Sequence, residues 1–169
     1  MANCAIFYGS TTGNTKDAAK TLRQLLGEEA VDLIDVSNAD PEKMLAYPYL
    51  IWGSSTWGSG DLQDDWEAFL AELNGTDLSG KKIAFFGLGD QEGYPDEFVD
   101  AMGILYETAV QKGATPVGSW PTEGYIYDHS KAVVDGQFVG LALDEDNQSD
   151  QSDERLKTWA ETLHRQFGF

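Results

Sequence analysis

Short polar residues crowd the start of a predicted helix, where they could hold an anion without any cation. They are Ser10, Thr11, Thr12, Gly13, Asn14 and Thr15. A helix start leaves roughly four amide N–H groups unpaired and carries about half a positive charge, so it attracts phosphate. The nearest base is Lys16, and the glycine–lysine pattern of a triphosphate-binding loop is missing. The segment predicts a phosphate site; an ordinary Ser/Thr helix cap is the alternative.

Two aromatic residues stand among small residues and could offer flat surfaces to a planar ring. Tyr94 follows Leu88, Gly89 and Asp90, and Trp57 stands within the run Ser55, Thr56, Trp57, Gly58, Ser59 and Gly60. A tryptophan flanked by Gly and Ser leaves its ring free, whereas a core tryptophan normally lies on a helix or strand face. We expect residues 54–60 and 88–98 to form loops at one sheet edge, with the two rings sandwiching a ligand. Packing of each ring in the core is the alternative.

The sequence does not support a dinucleotide site or a calcium site. Gly87 and Gly89 do not begin a dinucleotide-binding pattern, because the third glycine comes one residue late and the pair follows the fourth apolar run. A calcium loop starting at Asp144 would need glycine at its sixth position and glutamate at its twelfth. Ser149 and Arg155 stand there instead. We therefore predict neither a bound dinucleotide nor a calcium ion.

Cysteine and histidine offer little for catalysis or metal binding. Cys4 is the only cysteine, which excludes an intramolecular disulfide and every cysteine-rich zinc or iron–sulfur site. His129 and His164 are too isolated in the sequence to indicate a metal site, and we predict no metal ligands and no catalytic residues. Any redox chemistry must therefore use a bound organic cofactor.

Composition indicates one acidic, folded domain over residues 1–169. Asp and Glu number 29 against 11 Lys and Arg, so the formal charge is −18, which repels nucleic acid and anionic lipid. A basic protein partner is favoured, although acidity that merely aids solubility is the alternative. No apolar stretch approaches the roughly 20 residues of a membrane helix. We expect a cytoplasmic monomer that binds neither nucleic acid nor membranes.

Apolar runs alternate with segments of helical period, as in a parallel sheet covered by helices. The predicted strands are residues 4–8, 30–34, 49–53 and 82–88, and a fifth strand, 115–120 and 138–143, split by an insertion at 121–137. Helices are predicted from Ala18 to a stop at Gly27, at 41–45, 61–73 and 95–112, and from an N-cap at Ser152 to Phe167. We predict a three-layer, doubly wound α/β domain of strand order 2-1-3-4-5, with its ligand between strands 1 and 3.

On these residues the chain resembles the long-chain flavodoxins over essentially its whole length. The run from Ser10 to Thr15 is similar to that family's FMN-phosphate loop. Thr56-Trp57 and the segment Gly89-Asp90 with Tyr94 are similar to its two ring-stacking segments, and the insertion falls where long-chain members split their last strand. The resemblance implies non-covalently bound FMN, with Asp146 near the ribityl chain and the Gly58-Ser59 peptide turning its carbonyl toward flavin N5.

The resemblance further implies a low-potential, one-electron carrier rather than an enzyme. Its partners would be basic redox proteins, such as a donor or acceptor similar to the ferredoxin/flavodoxin–NADP reductases. One alternative is an FMN-dependent NAD(P)H:quinone reductase, which a tryptophan covering the ring disfavours. Another is a receiver-type signalling domain, which needs acidic residues after strand 1 and a lysine after strand 5. Gly9-Ser10 follows strand 1 and Trp120-Pro121 follows strand 5, so the acidic residues and the lysine are both missing.

Overall fold

Strands and helices alternate along the chain. The computed structural model describes residues 2–10, 13–57 and 60–168, and only the backbone of Trp57. Within these residues the strands are β1 (Cys4–Gly9), β2 (Val31–Asp35), β3 (Tyr49–Trp57), β4 (Asp61–Leu62), β5 (Lys82–Leu88), β6 (Thr115–Val117), β7 (Trp120–Pro121), β8 (Val133–Val134), β9 (Gln137–Phe138) and β10 (Leu141–Leu143). The helices are α1 (Asn14–Leu26), α2 (Pro41–Leu45), α3 (Asp64–Glu72), α4 (Asp100–Gln111) and α5 (Ser152–Phe167), with 3-10 turns at Val36–Asn38 and Ser149–Gln151.

The central sheet has the predicted order. From one edge it runs β2, β1, β3, β5, and all these neighbours pair in parallel. The fifth place is shared by two short strands: β6 pairs with the first half of β5 and β10 with its second half. The segment between them forms a small antiparallel sheet, β7-β9-β8. The prediction of a split last strand is confirmed, although both pieces are shorter than predicted.

Helices cover both faces of the sheet, because successive strand side chains point to opposite sides. Ala5 and Phe7 of β1 face the layer that contains α3 and α4, where Trp66 and Phe69 are buried. Ile6, one residue apart from both, belongs to the opposite core with α1 and α5. The three-layer α/β architecture is thereby confirmed.

Two helices begin later than predicted. Helix α3 begins at Asp64 rather than at residue 61, because Asp61 and Leu62 pair with the end of β3, and Gln63 then caps the helix by accepting the N–H groups of Asp65 and Trp66. Helix α4 begins at Asp100 rather than at residue 95. Val99 has a positive φ of 48°, which interrupts helical geometry immediately before it.

The last helix also corrects a prediction. Ser152 is the first residue of α5 instead of its N-cap, because the 3-10 turn leads directly into the helix, and its hydroxyl donates to Glu145. Gly27 ends α1 as predicted. Among the described helices, none combines the length and the apolar character that a bilayer crossing demands.

Candidate functional site at the carboxyl edge of the sheet

The strand register brings four loops to one place. Gly9 at the end of β1 lies beside Ser54 of β3, and Ser55 lies beside Leu88 at the end of β5. Leu143, at the end of β10, also pairs with Leu88. A cavity of about 260 Å³ opens where these strands end. It is lined by Asn14, Ser55, Thr56, Leu88, Gly89, Asp90, Tyr94, Glu97, Glu145 and Asp146.

Most of the predicted ligand residues that the structure describes line this cavity. Ser10, Gly13, Thr15 and Gly60 are described but are not among the lining residues. Thr11, Thr12, Gly58, Ser59 and the side chain of Trp57 lie outside the described part of the chain. Glu97 and Glu145 line the cavity without having been predicted as ligand residues; their positions, three residues after Tyr94 and next to Asp146, were the available signal.

The first loop, which connects β1 to α1, turns tightly into the helix. Gly13, immediately before the helix, has φ 96°, a left-handed conformation that favours glycine. Its N–H donates to Ser10 Oγ (3.0 Å), so this hydroxyl is engaged within the turn. Among the described residues no side chain caps α1. The residue at the N-cap position is Gly13, which has no side chain, and Asn14, the first residue of α1, lines the cavity.

Strand β3 extends further along the chain than predicted. Residues 54–60 were expected to form a loop, but β3 continues to Trp57: Ser54 and Ser55 pair with β5, and Thr56 and Trp57 pair with β4. The expectation was wrong because the polar residues pair in a ladder that local composition does not indicate. Trp57 therefore ends a strand, and its ring lies outside the described atoms.

This segment is joined to the start of α4. Thr56 Oγ1 accepts the N–H of Ala101 (3.0 Å), and the preceding Val99 offers no side-chain cap. Gly60 is buried against Asp100, where an added Cβ would come 2.8 Å from the carboxylate Oδ2. Burial raises the pKa of Asp100 above its usual range. The end of the β3–β4 hairpin and the start of α4 are therefore packed as one unit.

The third loop holds an exposed aromatic ring. Tyr94 lines the cavity and is 52% exposed, so about half of the residue is accessible. The insertion supports this loop: the N–H groups of Asp128 and His129 both donate to Pro95 O, at 2.8 and 2.9 Å. Phe98 adds ring contacts, including one with Tyr127 at 5.6 Å between centroids.

Four carboxylates line the cavity: Asp90, Glu97, Glu145 and Asp146. Oxygens of Asp90, Asp144 and Asp146 lie within 4.8 Å of one another. The pKa of Asp146 is raised, first by burial and then by the negative charges of Asp90 and Asp144. Hydrogen bonds, first from the Gly93 N–H and then from Asn147, lower the pKa of Asp90. Because none of the described lining residues is basic, the cavity carries negative charge.

Three larger depressions lie elsewhere on the described residues. One of about 460 Å³ lies beside β2 and is lined by residues that include Arg23, Lys43 and Tyr47. A second, of about 360 Å³, lies between β6 and the insertion, and a third, of about 590 Å³, is lined by residues of α3 and α4 and those next to them. None of the three lies where the parallel strands end, which is where open α/β sheets bind their ligands. We therefore take the smaller cavity at the carboxyl edge as the candidate site.

Comparison with known proteins agrees with this geometry. The family model described as Flavodoxin matches residues 6–159. The chain belongs to the flavodoxin family. The flavodoxin of Synechococcus elongatus is 50% identical over 169 residues, covering 99% of each chain. Flavodoxin 1 of Azotobacter vinelandii is 47% identical over 171 residues, covering 99% of this chain and 98% of that one. The structure of Fusobacterium nucleatum flavodoxin bound to flavin mononucleotide aligns with a TM-score of 0.92 at 28% identity, over 98% of this chain and 99% of that one.

Proposed function

We propose that this member of the flavodoxin family binds FMN non-covalently and carries electrons one at a time in the cytoplasm. The observation that carries the proposal is the cavity at the carboxyl edge, which joins the start of α1 to an exposed aromatic ring and a carboxylate wall. The Fusobacterium nucleatum flavodoxin, whose backbone follows the same course, has flavin mononucleotide bound. When bound, FMN supplies the redox chemistry that the chain's own side chains lack.

Each part of the ligand has residues of suitable chemistry. The segment from Ser10 to Thr15 would take the phosphate, because helix-start amides and hydroxyls satisfy an anion. Tyr94 and Trp57 would stack on the ring system, and Asp146 would lie near the ribityl chain. The ring edge would lie against Ser55, Thr56, Gly58, Ser59, Gly60, Leu88, Gly89 and Asp90. Gly89 packs tightly against the residues before α4, since a Cβ there would come 3.0 Å from the Val99 backbone nitrogen.

Charge in the site sets which oxidation state is favoured. No basic residue lines the described wall, whereas Asp90 and Asp146 do. Each fixed anion about 12 Å from the ring opposes an added electron by roughly 1.4 kcal/mol at an effective dielectric of about 20, or roughly 60 mV. The wall therefore favours a low reduction potential, as expected of a protein that passes electrons on.

The partners that suit this surface are basic redox proteins, similar to the ferredoxin/flavodoxin–NADP reductases. The net charge of −18 attracts a basic surface and repels nucleic acid and anionic membranes. The loop that carries Tyr94 also presents exposed Glu92 and Asp96. A monomer would leave this edge open to partners. Electron-transfer rates to a basic acceptor should fall as salt rises, and rates independent of ionic strength would contradict the partner proposal.

A visible spectrum of the purified protein tests the proposed function. We expect oxidised-flavin absorption that leaves the protein on acid treatment, because the cofactor is not covalently bound. The holoprotein should accept electrons in two separate steps in a redox titration and should not oxidise NAD(P)H directly. Colourless protein that stays colourless with added FMN would overturn the proposal, and rapid NAD(P)H oxidation would favour an enzyme instead.

A further inference from the structure

Asp144 is a completely buried carboxylate that serves as a junction between loops. Five N–H donors converge on it. Its Oδ2 accepts the backbone N–H of Gln91 (3.0 Å), the Gln91 side-chain amide (2.8 Å) and the Asn147 side-chain amide (2.9 Å). Its Oδ1 accepts the backbone N–H groups of Asp146 and Asn147. Such donors stabilise a buried negative charge, which is otherwise costly.

The Asn147 side chain extends this junction to the cavity wall. Its amide nitrogen donates both to Asp144 and to Asp90 Oδ1, the latter at 2.7 Å. The same Asp90 oxygen accepts the N–H groups of Glu92 and Gly93. Asn147 thus connects the loop after β10 with the loop after β5. Without this neutral donor, like charges would oppose the close approach of the carboxylates.

The junction also reaches the insertion. The Gln91 side chain, whose nitrogen donates to Asp144, accepts the backbone N–H of Ile126 through its oxygen (2.6 Å). Gln91 is 4% exposed, so water cannot easily replace either bond. Three separate segments therefore meet around one carboxylate. A change in this junction should alter the relative position of the two loops that carry Asp90 and Asp146.

We propose that Asp144 and Asn147 are positioning residues, which hold the carboxylates of Asp90 and Asp146 against the cofactor and thereby lower its reduction potential. The inference rests on the proposed function, since it assigns these residues a role toward bound FMN. Neither Asp144 nor Asn147 lines the cavity itself. Their effect is therefore exerted through Asp90 and Asp146, and it follows that loss of Asn147 should matter only while Asp90 keeps its charge.

A double-mutant cycle tests this dependence. Asn147→Ala and Asp90→Asn are made singly and together, and the potential of the second electron is measured in each holoprotein. Both single variants should move this potential to less negative values, and the double variant should match Asp90→Asn alone. Additive shifts, or a potential left unchanged by Asn147→Ala, would overturn the inference. Asn147→Thr, of similar size without the amide, replaces Asn147→Ala if that variant does not fold.

A second readout uses the apoprotein. Carboxyl NMR titration should show that Asn147→Ala raises the pKa of Asp90, because one of the hydrogen bonds that lowers it is gone. Asp77 is a matched control: hydrogen bonds from Ser79 lower its pKa in the same way, at the opposite edge of the sheet. Asp77→Asn and Asn74→Ala should leave the potentials unchanged. An unchanged pKa of Asp90 would identify Asn147 as merely structural.

Replacement of Asp144 itself probes the centre of the junction. In a redox titration, Asp144→Asn should move the potential of the second electron to less negative values, because an amide replaces one carboxylate oxygen, leaves donors without an acceptor and loosens the loops that carry Asp90 and Asp146. A potential equal to that of the wild-type holoprotein would contradict the inference. The same titration separates the two proposals. Wild-type protein that does not bind FMN refutes the proposed function, whereas a normal wild type with unaffected variants refutes only the positioning role.

Discussion

The two walls of the cavity are built on opposite principles. At the start of α1 the predicted phosphate loop contains hydroxyls, amides and a left-handed Gly13, but no charged residue before Lys16. Elsewhere in the wall, Asp90 and Asp146 line the cavity, and their oxygens and those of the buried Asp144 lie within 4.8 Å of one another; N–H donors hold Asp90 and Asp144. One wall offers donors to an anion without opposing charge, and the other concentrates negative charge next to the ligand.

This difference suggests a division of roles. The uncharged wall can bind the doubly negative phosphate without a lysine, and since it adds no fixed charge it should govern affinity more than potential. The charged wall opposes added negative charge and should govern potential more than affinity. Substitutions in the uncharged wall, in the aromatic rings and in the carboxylate wall should therefore differ in the property they alter, FMN affinity or reduction potential, and in the size of the effect.

The largest effect is expected from Gly13→Val. A β-branched residue cannot easily adopt φ 96°, and the strain of roughly 1–3 kcal/mol together with displaced amides should weaken FMN binding by on the order of 100-fold. Fluorescence titration of apoprotein with FMN measures the change. Gly75→Val is the control: Gly75 has φ 82° and open space around its Cα, but lies away from the cavity. Equal losses in both variants would mean that the phosphate loop has no special role.

Next in size should be the loss of the aromatic rings. Removing the half-exposed Tyr94 ring, or the Trp57 ring, takes away stacking surface worth about 1–3 kcal/mol, so Tyr94→Ala and Trp57→Ala should each weaken FMN binding by roughly 5- to 150-fold. The same titration measures both. Ile126→Ala, at the most exposed large apolar side chain among those described, should leave binding unchanged. Normal affinity in the Trp57 variant would remove that residue from the site.

A change in the carboxylate wall should alter the reduction potential of the bound cofactor. Asp146→Asn removes one negative charge from the cavity and should make reduction of the holoprotein easier, by at most roughly 60 mV because Asp146 is exposed and solvent screens its charge. Affinity for oxidised FMN should change much less. A redox titration beside a binding titration measures both. A large loss of affinity with an unchanged potential would reverse the roles assigned to the two walls.

The smallest effect concerns stability and pH. Because the pKa of Asp146 is raised in the folded protein, its favourable contribution is present at low pH and is lost as pH rises through that pKa. At neutral pH the charged side chain therefore costs stability, and Asp146→Asn apoprotein should melt slightly higher than wild type. The difference should vanish in acid, where Asp146 is protonated. Thermal melts at both pH values measure it, and a variant less stable at neutral pH would contradict the sign.

Strand order and site location were predictable because they depend on patterns local to the sequence. Apolar runs separated by helical segments indicate a parallel sheet, and the sequence places Asn14, Tyr94 and Asp146 after three of its strands. Since parallel strands end at one edge, these residues were expected to meet, and all three line the cavity. This prediction follows from the common edge at which parallel strands end, and it needs no knowledge of side-chain contacts.

What could not be predicted depends on partners distant in sequence. Ser54 to Trp57 carry the composition of a loop, yet they pair with β5 and β4. Val99 looks like an ordinary helix residue, but its left-handed backbone starts α4 at the next residue, with Thr56 as the capping side chain. The sequence around Asp144 excludes a calcium loop but does not predict a junction, because its five donors come together only in the folded chain.

A paired titration of the apoprotein with FMN and with riboflavin, which lacks the phosphate, tests the central claim most directly. If uncharged amides and hydroxyls at the start of α1 hold the phosphate, FMN fluorescence should be quenched with one-to-one saturation at micromolar concentration or below, and riboflavin should bind far more weakly. Equal affinity for the two ligands, or no quenching by FMN, would contradict the account.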